Sequence, residues 1–177
     1  ACCMVSRIIF GTRMLKMQSQ KHWERYAGTD LVDRTVTIIG MGNIGQRVTE
    51  IAKSFGMHVI GIKRTVSDID LTGMQADQIL PVNKLQDALK QADYLILCMP
   101  HTPETEYMIG ETELNLLPKG AILINIARGT VVDELAMIKS LDQGHLGGAA
   151  LDVFQTEPLP KHSPLWNMPN VLVSPHS

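Results

Sequence analysis

The sequence predicts an α/β protein: a doubly wound parallel sheet in three layers, with helices on both faces. Three observations predict it. Short apolar runs alternate along the chain with stretches of helical periodicity, the pattern of strand, crossover helix and strand. The runs around Tyr94-Leu95-Ile96-Leu97 and Ala121-Ile122-Leu123-Ile124 are continuously apolar rather than alternating, as parallel strands covered on both faces are. Between Val36 and Ile62 an apolar run breaks into G-x-G-x-x-G, continues at helical spacing and ends in a second apolar run. Right-handed crossovers then place the helices over both sides of the sheet.

With 177 residues the chain is long enough for one well-buried core and short for two, so a single domain over residues 1–177 is expected. A hydrophobic fraction of 45% and a net charge of -2 carry no basic excess, so no nucleic-acid partner is expected. No apolar run approaches the roughly 18 residues of a membrane span, and the N-terminus lacks a charged n-region and a cleavable apolar core. A cytoplasmic protein with no membrane partner follows as the expectation. Cys2, Cys3 and Cys98 form neither a metal-ligand spacing nor an even disulfide framework, so no metal is expected, and Cys98 reads as a buried small hydrophobe. The chain begins with Ala1 and ends on Ser174-Pro175-His176-Ser177 without a terminating helix. Both ends read as cut, which makes a piece of a larger protein the expectation.

Each element has its own justification. From about Met4 to Trp23, Met4, Val5, Ile8, Ile9 and Leu15 share one broad face, predicting a long amphipathic helix, with residues 1–23 as an N-terminal connecting helix. Its Met-rich face suits internal packing or a subunit contact. Trp23 to Asp33 lacks periodicity and leads to a first strand at Thr35 to Ile39. Ile44, Val48, Ile51, Ala52 and Phe55 then recur at helical spacing, and Met57 to Ile62 reads as a second strand. Asp68 to Gln78 is irregular, and Ile79-Leu80-Pro81-Val82 is a short extended element whose proline marks an edge or a turn. Leu85, Ala88, Leu89 and Ala92 carry a helix before the third strong strand at Asp93 to Met99. Glu111 to Leu117 makes a short helix ended near Pro118, and Gly120 to Ile126 is the fourth strand. Val132, Leu135, Ile138 and Leu141 predict the stripe of another helix, ending at Gly144 in a left-handed cap. Gly147 to Phe154 is a fifth strand, glycine-rich where another backbone or a ligand should approach, and Val171 to Val173 a short sixth.

The glycines have distinct roles. Gly40 permits a sharp turn off the strand, Gly42 lets backbone N–H groups approach a pyrophosphate, and Gly45 lets the next helix pack close. Gly40, Gly42, Asn43, Ile44 and Gly45 are therefore expected to form a phosphate cradle, aided by the dipole at the helix N-terminus. In an open parallel sheet ligands bind beyond the carboxyl ends of the strands. At those ends fall Lys63-Arg64-Thr65, Pro100-His101-Thr102, Arg128-Gly129, Asp152 to Glu157, and His176. An acid about 20 residues beyond the glycines ordinarily accepts hydrogen bonds from the adenosine ribose. Here the tip carries Lys63 and Arg64, which could pair with a 2′-phosphate, and Thr65, which could hydrogen-bond it, so NADP is expected over NAD.

The motif at Gly40 to Gly45, the segments Cys98 to Thr105, Asn125 to Gly129 and Asp152 to Leu159, and Ser174-Pro175-His176 occur in one order. Through them the chain resembles the NAD(P)-binding domain, a Rossmann-type fold, of D-isomer-specific 2-hydroxyacid dehydrogenases. The resemblance implies an oxidoreductase acting on CH–OH donors, passing hydride between NAD(P) and a small 2-keto or 2-hydroxy acid, with glyoxylate or hydroxypyruvate favoured. It implies that Arg128 holds the substrate carboxylate and carbonyl oxygen, that His176 is general acid and base, and that Glu157 is its partner. It further implies that Asp152 and the backbone near Ile126 hold the nicotinamide carboxamide, that Pro100 and Thr105 line the adenosine side, and that the protein is a homodimer. The charge logic agrees: negative charge building on a carbonyl oxygen needs a cation beside it and a proton within reach. A carboxylate beside His176 would favour imidazolium and hold the ring.

Two departures from the family pattern stand out. The acid at the second-strand tip is absent, and so is the family's substrate-binding domain, so weak or no turnover by this chain alone is expected. Two other readings use the same fold: a non-catalytic NAD(H)-sensing module of the corepressor kind, and a methyltransferase-like enzyme, which the Arg128, Glu157 and His176 set disfavours.

Overall fold

Alternate residues of the apolar runs go to opposite faces of a single sheet, which is why those runs show no polar alternation. The computed structural model describes residues 12–25, 30–66 and 75–177. Its strands are β1 (Thr35–Ile39), β2 (His58–Lys63), β3 (Gln78–Pro81), β4 (Tyr94–Leu97), β5 (Ile122–Asn125), β6 (Gly148–Leu151) and β7 (Val171–Val173). All are parallel and lie in the order β3-β2-β1-β4-β5-β6-β7. Ile39, Ile60, Leu95, Leu97, Leu123 and Leu151 face one side, and Val36, Ile38, Val59, Ile96, Ile124 and Ala150 the other. Each fully buried leucine or isoleucine contributes about 2 kcal/mol through removal from water.

The helices are α1 (Thr12–Ser19), α2 (Asn43–Ser54), α3 (Leu85–Leu89), α4 (Glu111–Leu116) and α5 (Glu134–Asp142). Leu89 of α3, Leu114 of α4 and Met137 and Leu141 of α5 close the first face, while Val48 and Ala52 of α2 close the second. The three-layer doubly wound sheet expected from the sequence is therefore the fold. Because every strand runs the same way, all carboxyl ends emerge along one edge. The chain moves outward from β1 to β3, then returns to β4 on the other side of β1. The crevice between β1 and β4 is thus the topological switch point, where such sheets bind ligands.

The extended element at Ile79 to Val82 is a seventh strand, β3, ending at Pro81 on the edge of the sheet, where a proline is tolerated. Gly144, at φ 66, closes α5 in the left-handed conformation expected of it. The apolar stripe predicted for that helix is displaced. Asp133 caps its N-terminus by accepting from the Ala136 N–H at 3.1 Å, so Val132 lies outside and bridges Ile109 instead. Leu135 is 78% exposed, and Met137, Ser140 and Leu141 turn inward. In α2, Ile44 and Phe55 are likewise exposed, Ile44 because it lies in the first turn at the ligand edge, Phe55 because it follows the last turn.

The long N-terminal helix ends earlier than expected. The stretch from Met4 to Gly11 lies outside the described residues, as does most of the irregular stretch at 68–78. At the other end, α1 stops at Ser19 because Lys21 adopts φ 52. The Lys21 N–H then reaches the Gln18 carbonyl at 3.1 Å and the His22 N–H the Met17 carbonyl at 2.9 Å, a Schellman closure. Trp23, beyond it, is 90% exposed.

Candidate active site

The turn after β1 shows three different demands on three glycines. Gly40 has φ 100, and a Cβ on it would lie 2.6 Å from the Met99 nitrogen, so it admits both the turn and the close passage of the chain leaving β4. A Cβ on Gly45 would overlap the Gly40 carbonyl oxygen. Gly42 differs: a Cβ there would meet no atom within 4 Å. Its φ of -79 is open to any residue, so the fold itself does not require this glycine. The space it leaves open lies at the N-terminus of α2, whose first turn has no acidic residue and no side-chain cap. Uncapped N–H groups, a positive dipole end and a face without a Cβ fit a pyrophosphate. Asn43 and Ile44 are exposed at the same edge.

Beside this cradle, β2 ends at Lys63, with Arg64 and Thr65 exposed beyond it. On the opposite side, the 100–105 loop is organised by Thr105. Its hydroxyl oxygen accepts from the Thr102 N–H at 2.8 Å and lies 2.9 Å from the Pro100 carbonyl, to which it can donate. Thr105 thus shapes the loop from within, while Pro100 is exposed at the rim. Glu104 in this loop is held below the usual carboxylate range by the Thr102 hydroxyl first and by its own backbone N–H, with Arg64 contributing. Cys98, expected to be buried, is half-buried at the end of β4, and burial pushes its thiol up to about 11.

The remaining strand ends bring Glu157 and His176 together. Nδ1 of His176 lies 2.7 Å from Oε2 of Glu157, and Oε1 of Glu157 accepts from the Phe154 N–H at 3.0 Å. The His176 hydrogen bond is the main reason that the Glu157 carboxyl titrates below its ordinary value. The Phe154 N–H and the Arg128 charge act the same way, against slight desolvation. With Nδ1 engaged by a carboxylate, Nε2 is the nitrogen available for proton exchange. His176 has φ 55, a left-handed conformation uncommon outside glycine. It is pinned from the next residue, since the Ser177 N–H donates to Oδ1 of the buried Asp152 at 3.1 Å. Arg128 enters from β5, exposed, its Nη1 on the Ala127 carbonyl at 2.7 Å. Among the described residues no carboxylate forms an ion pair with it. Ile126 is half-buried, its N–H on the Leu97 carbonyl at 3.3 Å.

The sequence pattern of these strand ends has counterparts. The family model described as D-isomer specific 2-hydroxyacid dehydrogenase, NAD binding domain, matches residues 4–177. The chain belongs to this family. It is 42% identical over 151 residues to the glyoxylate reductase of Thermococcus gammatolerans, covering 85% of this chain and 44% of that protein. The chain therefore spans under half the length of this relative. Among solved structures, a D-isomer specific 2-hydroxyacid dehydrogenase from Xanthobacter autotrophicus Py2 in complex with NADPH and MES matches with a TM-score of 0.88 and 33% identity, over 98% of this chain and 54% of that one. An NADPH-dependent glyoxylate/hydroxypyruvate reductase from Sinorhizobium meliloti in complex with NADP and sulfate matches with a TM-score of 0.85 and 30% identity, over 93% and 52%.

As a member of this dehydrogenase family, the chain places residues at its site that sequence reasoning did not single out. Asn125, buried at the end of β5, accepts from the Ala127 N–H and donates to the Arg128 carbonyl, both at 3.0 Å, fixing the backbone that presents Arg128. The one signal for it is a polar residue closing an apolar strand. Gly129 is a second case, since a Cβ on it would overlap the Phe154 carbonyl. The contact joins the segments that carry Arg128 and Glu157. Asp152, which the sequence already placed among the site residues, has a contact that the sequence did not signal: its carboxylate accepts from the Ser177 N–H at 3.1 Å.

Proposed function

We propose that this domain is the cofactor side of an oxidoreductase that passes hydride between NADP and a small 2-keto or 2-hydroxy acid, glyoxylate or hydroxypyruvate in preference to bulkier acids. The single observation that carries the reading is the 2.7 Å contact between Glu157 and His176, on the same sheet edge as the open Gly42 face. The bound nicotinamide supplies or accepts the hydride. Arg128 binds the substrate carboxylate and lies beside the oxygen that gains charge, as a guanidinium fork can. His176 delivers a proton from Nε2 to that oxygen in reduction and removes it in oxidation. Glu157 fixes the ring through Nδ1 and stabilises its charged form.

Gly40, Gly42, Asn43, Ile44 and Gly45 would hold the pyrophosphate. Lys63, Arg64 and Thr65 would receive the 2′-phosphate of NADP, a preference consistent with the NADPH-dependent Sinorhizobium meliloti reductase. Pro100 would border the adenosine, and Ile126 and Asp152 the carboxamide. In this reading the second wall of the cleft comes from a substrate domain beyond these 177 residues, because the chain covers 44% of the Thermococcus gammatolerans enzyme. Exclusion of water and alignment of the acid depend on that wall, so the domain alone turns over weakly or not at all. A homodimer with α1 as a contact belongs to the same reading, supported by the exposure of Met14, Leu15 and Trp23.

Parallel fluorescence titrations with NADPH and NADH test it, with Lys63→Asp as the comparison. Tighter binding of NADPH that weakens in Lys63→Asp supports the cradle and the 2′-phosphate site. Equal binding of the two removes the NADP preference, and binding of neither removes the cofactor reading for this domain.

A further inference from the structure

Gln155 lies in the turn after β6, between the backbone that holds Glu157 and the segment that leaves Arg128. Its peptide N–H donates to Oε2 of Glu134 at 3.2 Å, and its Nε2 donates to the Val132 carbonyl at 3.0 Å. Both acceptors belong to the stretch that follows Arg128: Val132 comes directly after the 3-10 turn Gly129–Val131, and Glu134 opens α5. On that stretch Gly129 lies against the Phe154–Gln155 peptide with no space for a Cβ. The two segments therefore touch backbone to backbone and are tied at two further points. The same peptide group also precedes Glu157 by two residues.

We infer that Gln155 and Glu134 are positioning residues for this site, clamping the Phe154 to Glu157 turn onto the segment after Arg128 so that Glu157 meets His176 with Arg128 alongside. The inference rests on reading Arg128, Glu157 and His176 as the reacting set. Its physical basis is that a peptide plane is rigid. The Phe154–Gln155 plane is held sterically by Gly129 on one face and by the Glu134 carboxylate, which accepts from its N–H at 3.2 Å. That plane meets the Val153–Phe154 plane, which carries the Phe154 N–H, at the Phe154 Cα, and it leads through Thr156 to Glu157. Releasing it lets the N–H and the Glu157 side chain shift relative to each other, and both bonds to the Glu157 carboxylate loosen. The Gln155 side chain adds the second tether, which prevents the turn from pivoting about the first. Glu134 would also be favoured in the first turn of α5 by the helix dipole alone. A dipole role, however, predicts no effect on Glu157, which separates the two.

The test follows the Glu157 carboxyl by carbon-13 NMR through a pH titration of the full 177-residue chain, with thermal unfolding measured in parallel. In Gln155→Leu and Glu134→Ala the Glu157 midpoint moves upward, toward that of an unpaired glutamate, and its response to the His176 ring is lost. Glu134→Gln keeps an acceptor oxygen for the Gln155 N–H and leaves the midpoint where it was. A folded Gln155→Leu or Glu134→Ala chain with the original Glu157 titration overturns the clamp, even with a lower Tm. If Gln155→Leu does not fold, Glu134→Ala at the helix start decides. Neither cofactor nor substrate enters the measurement, so its failure is distinct from failure of the hydride-transfer reading, which the NADPH titration reports.

Discussion

His176 and Glu157 meet at 2.7 Å although 19 positions separate them in sequence, and the carboxylate's other oxygen is taken by the Phe154 N–H. The pair links the ends of β6 and β7 at the sheet edge that also carries the glycine cradle. Because the Glu157 carboxyl is held below its ordinary value, whatever the pair adds to stability is present above the unfolded-state value. It is lost as pH falls through the folded one.

The contributions to Glu157 differ in size, and substitutions should reveal their order. His176→Gln removes the largest and should raise the Glu157 midpoint most. Arg128→Gln removes a smaller charge effect acting at longer range and should raise it less. Carboxyl-carbon NMR of the two variants checks this, and a larger effect from Arg128→Gln would mean that the guanidinium, not the imidazole, governs the carboxylate.

Gly42 and Gly45 lie three residues apart but should respond in opposite ways to alanine. Gly45→Ala forces a Cβ into the Gly40 carbonyl and should destabilise the fold by about 3 kcal/mol. Gly42→Ala meets nothing within 4 Å and should change stability by no more than about 0.5 kcal/mol. Its new methyl projects into the space assigned to the pyrophosphate, so NADPH affinity should fall by about tenfold or more. Urea unfolding and cofactor titration of both variants separate folding from binding. Full NADPH affinity in Gly42→Ala would place the phosphates elsewhere.

This contrast also marks what could be read without a structure. Strands were legible because their apolar runs are local, and the glycine turn after β1 because its demands follow each other within six residues. The C-terminal end of α1 was not, because Lys21 occupies the left-handed position that glycine ordinarily signals. Nor was the start of α5, where Asp133 caps the helix in the middle of what reads as one apolar stripe. The ties through Gln155, Glu134 and Asn125 were invisible for a different reason. Glu134 and Gln155 are 21 positions apart, and no periodicity couples residues whose contact exists only once β5 and β6 pair.

Asp77 should make the edge strand β3 sensitive to acid. Burial alone would raise its carboxyl. Lys53, at 2.7 and 2.9 Å, and the Val59 N–H, at 2.7 Å, outweigh that effect together with His58 and hold it below the ordinary value. Stabilisation from this carboxylate is complete above its unfolded-state value and disappears as pH drops through the lowered folded value. Asp77→Asn should therefore cost about 1 kcal/mol at neutral pH, with the gap to the unsubstituted chain closing in acid. Chemical denaturation across pH checks it, and a gap that widens in acid would reverse the sign.

Cys98 should be unreactive despite its position at the crevice between β1 and β4. It follows β4, its N–H donates to the Ile39 carbonyl at 2.8 Å, and burial pushes its thiol up to about 11. Only the thiolate attacks an alkylating agent, so at pH 8 Cys98 in the native chain should react about 100-fold more slowly than a free cysteine. The rate should climb as pH approaches 11 and rise to the free-thiol value in denaturant, where the apolar surroundings are gone. Iodoacetamide labelling resolved by peptide mapping distinguishes Cys98 from Cys2 and Cys3. Rapid native labelling of Cys98 at pH 8 would show that the thiol is hydrated, and the crevice between β1 and β4 would then be open to water at its base.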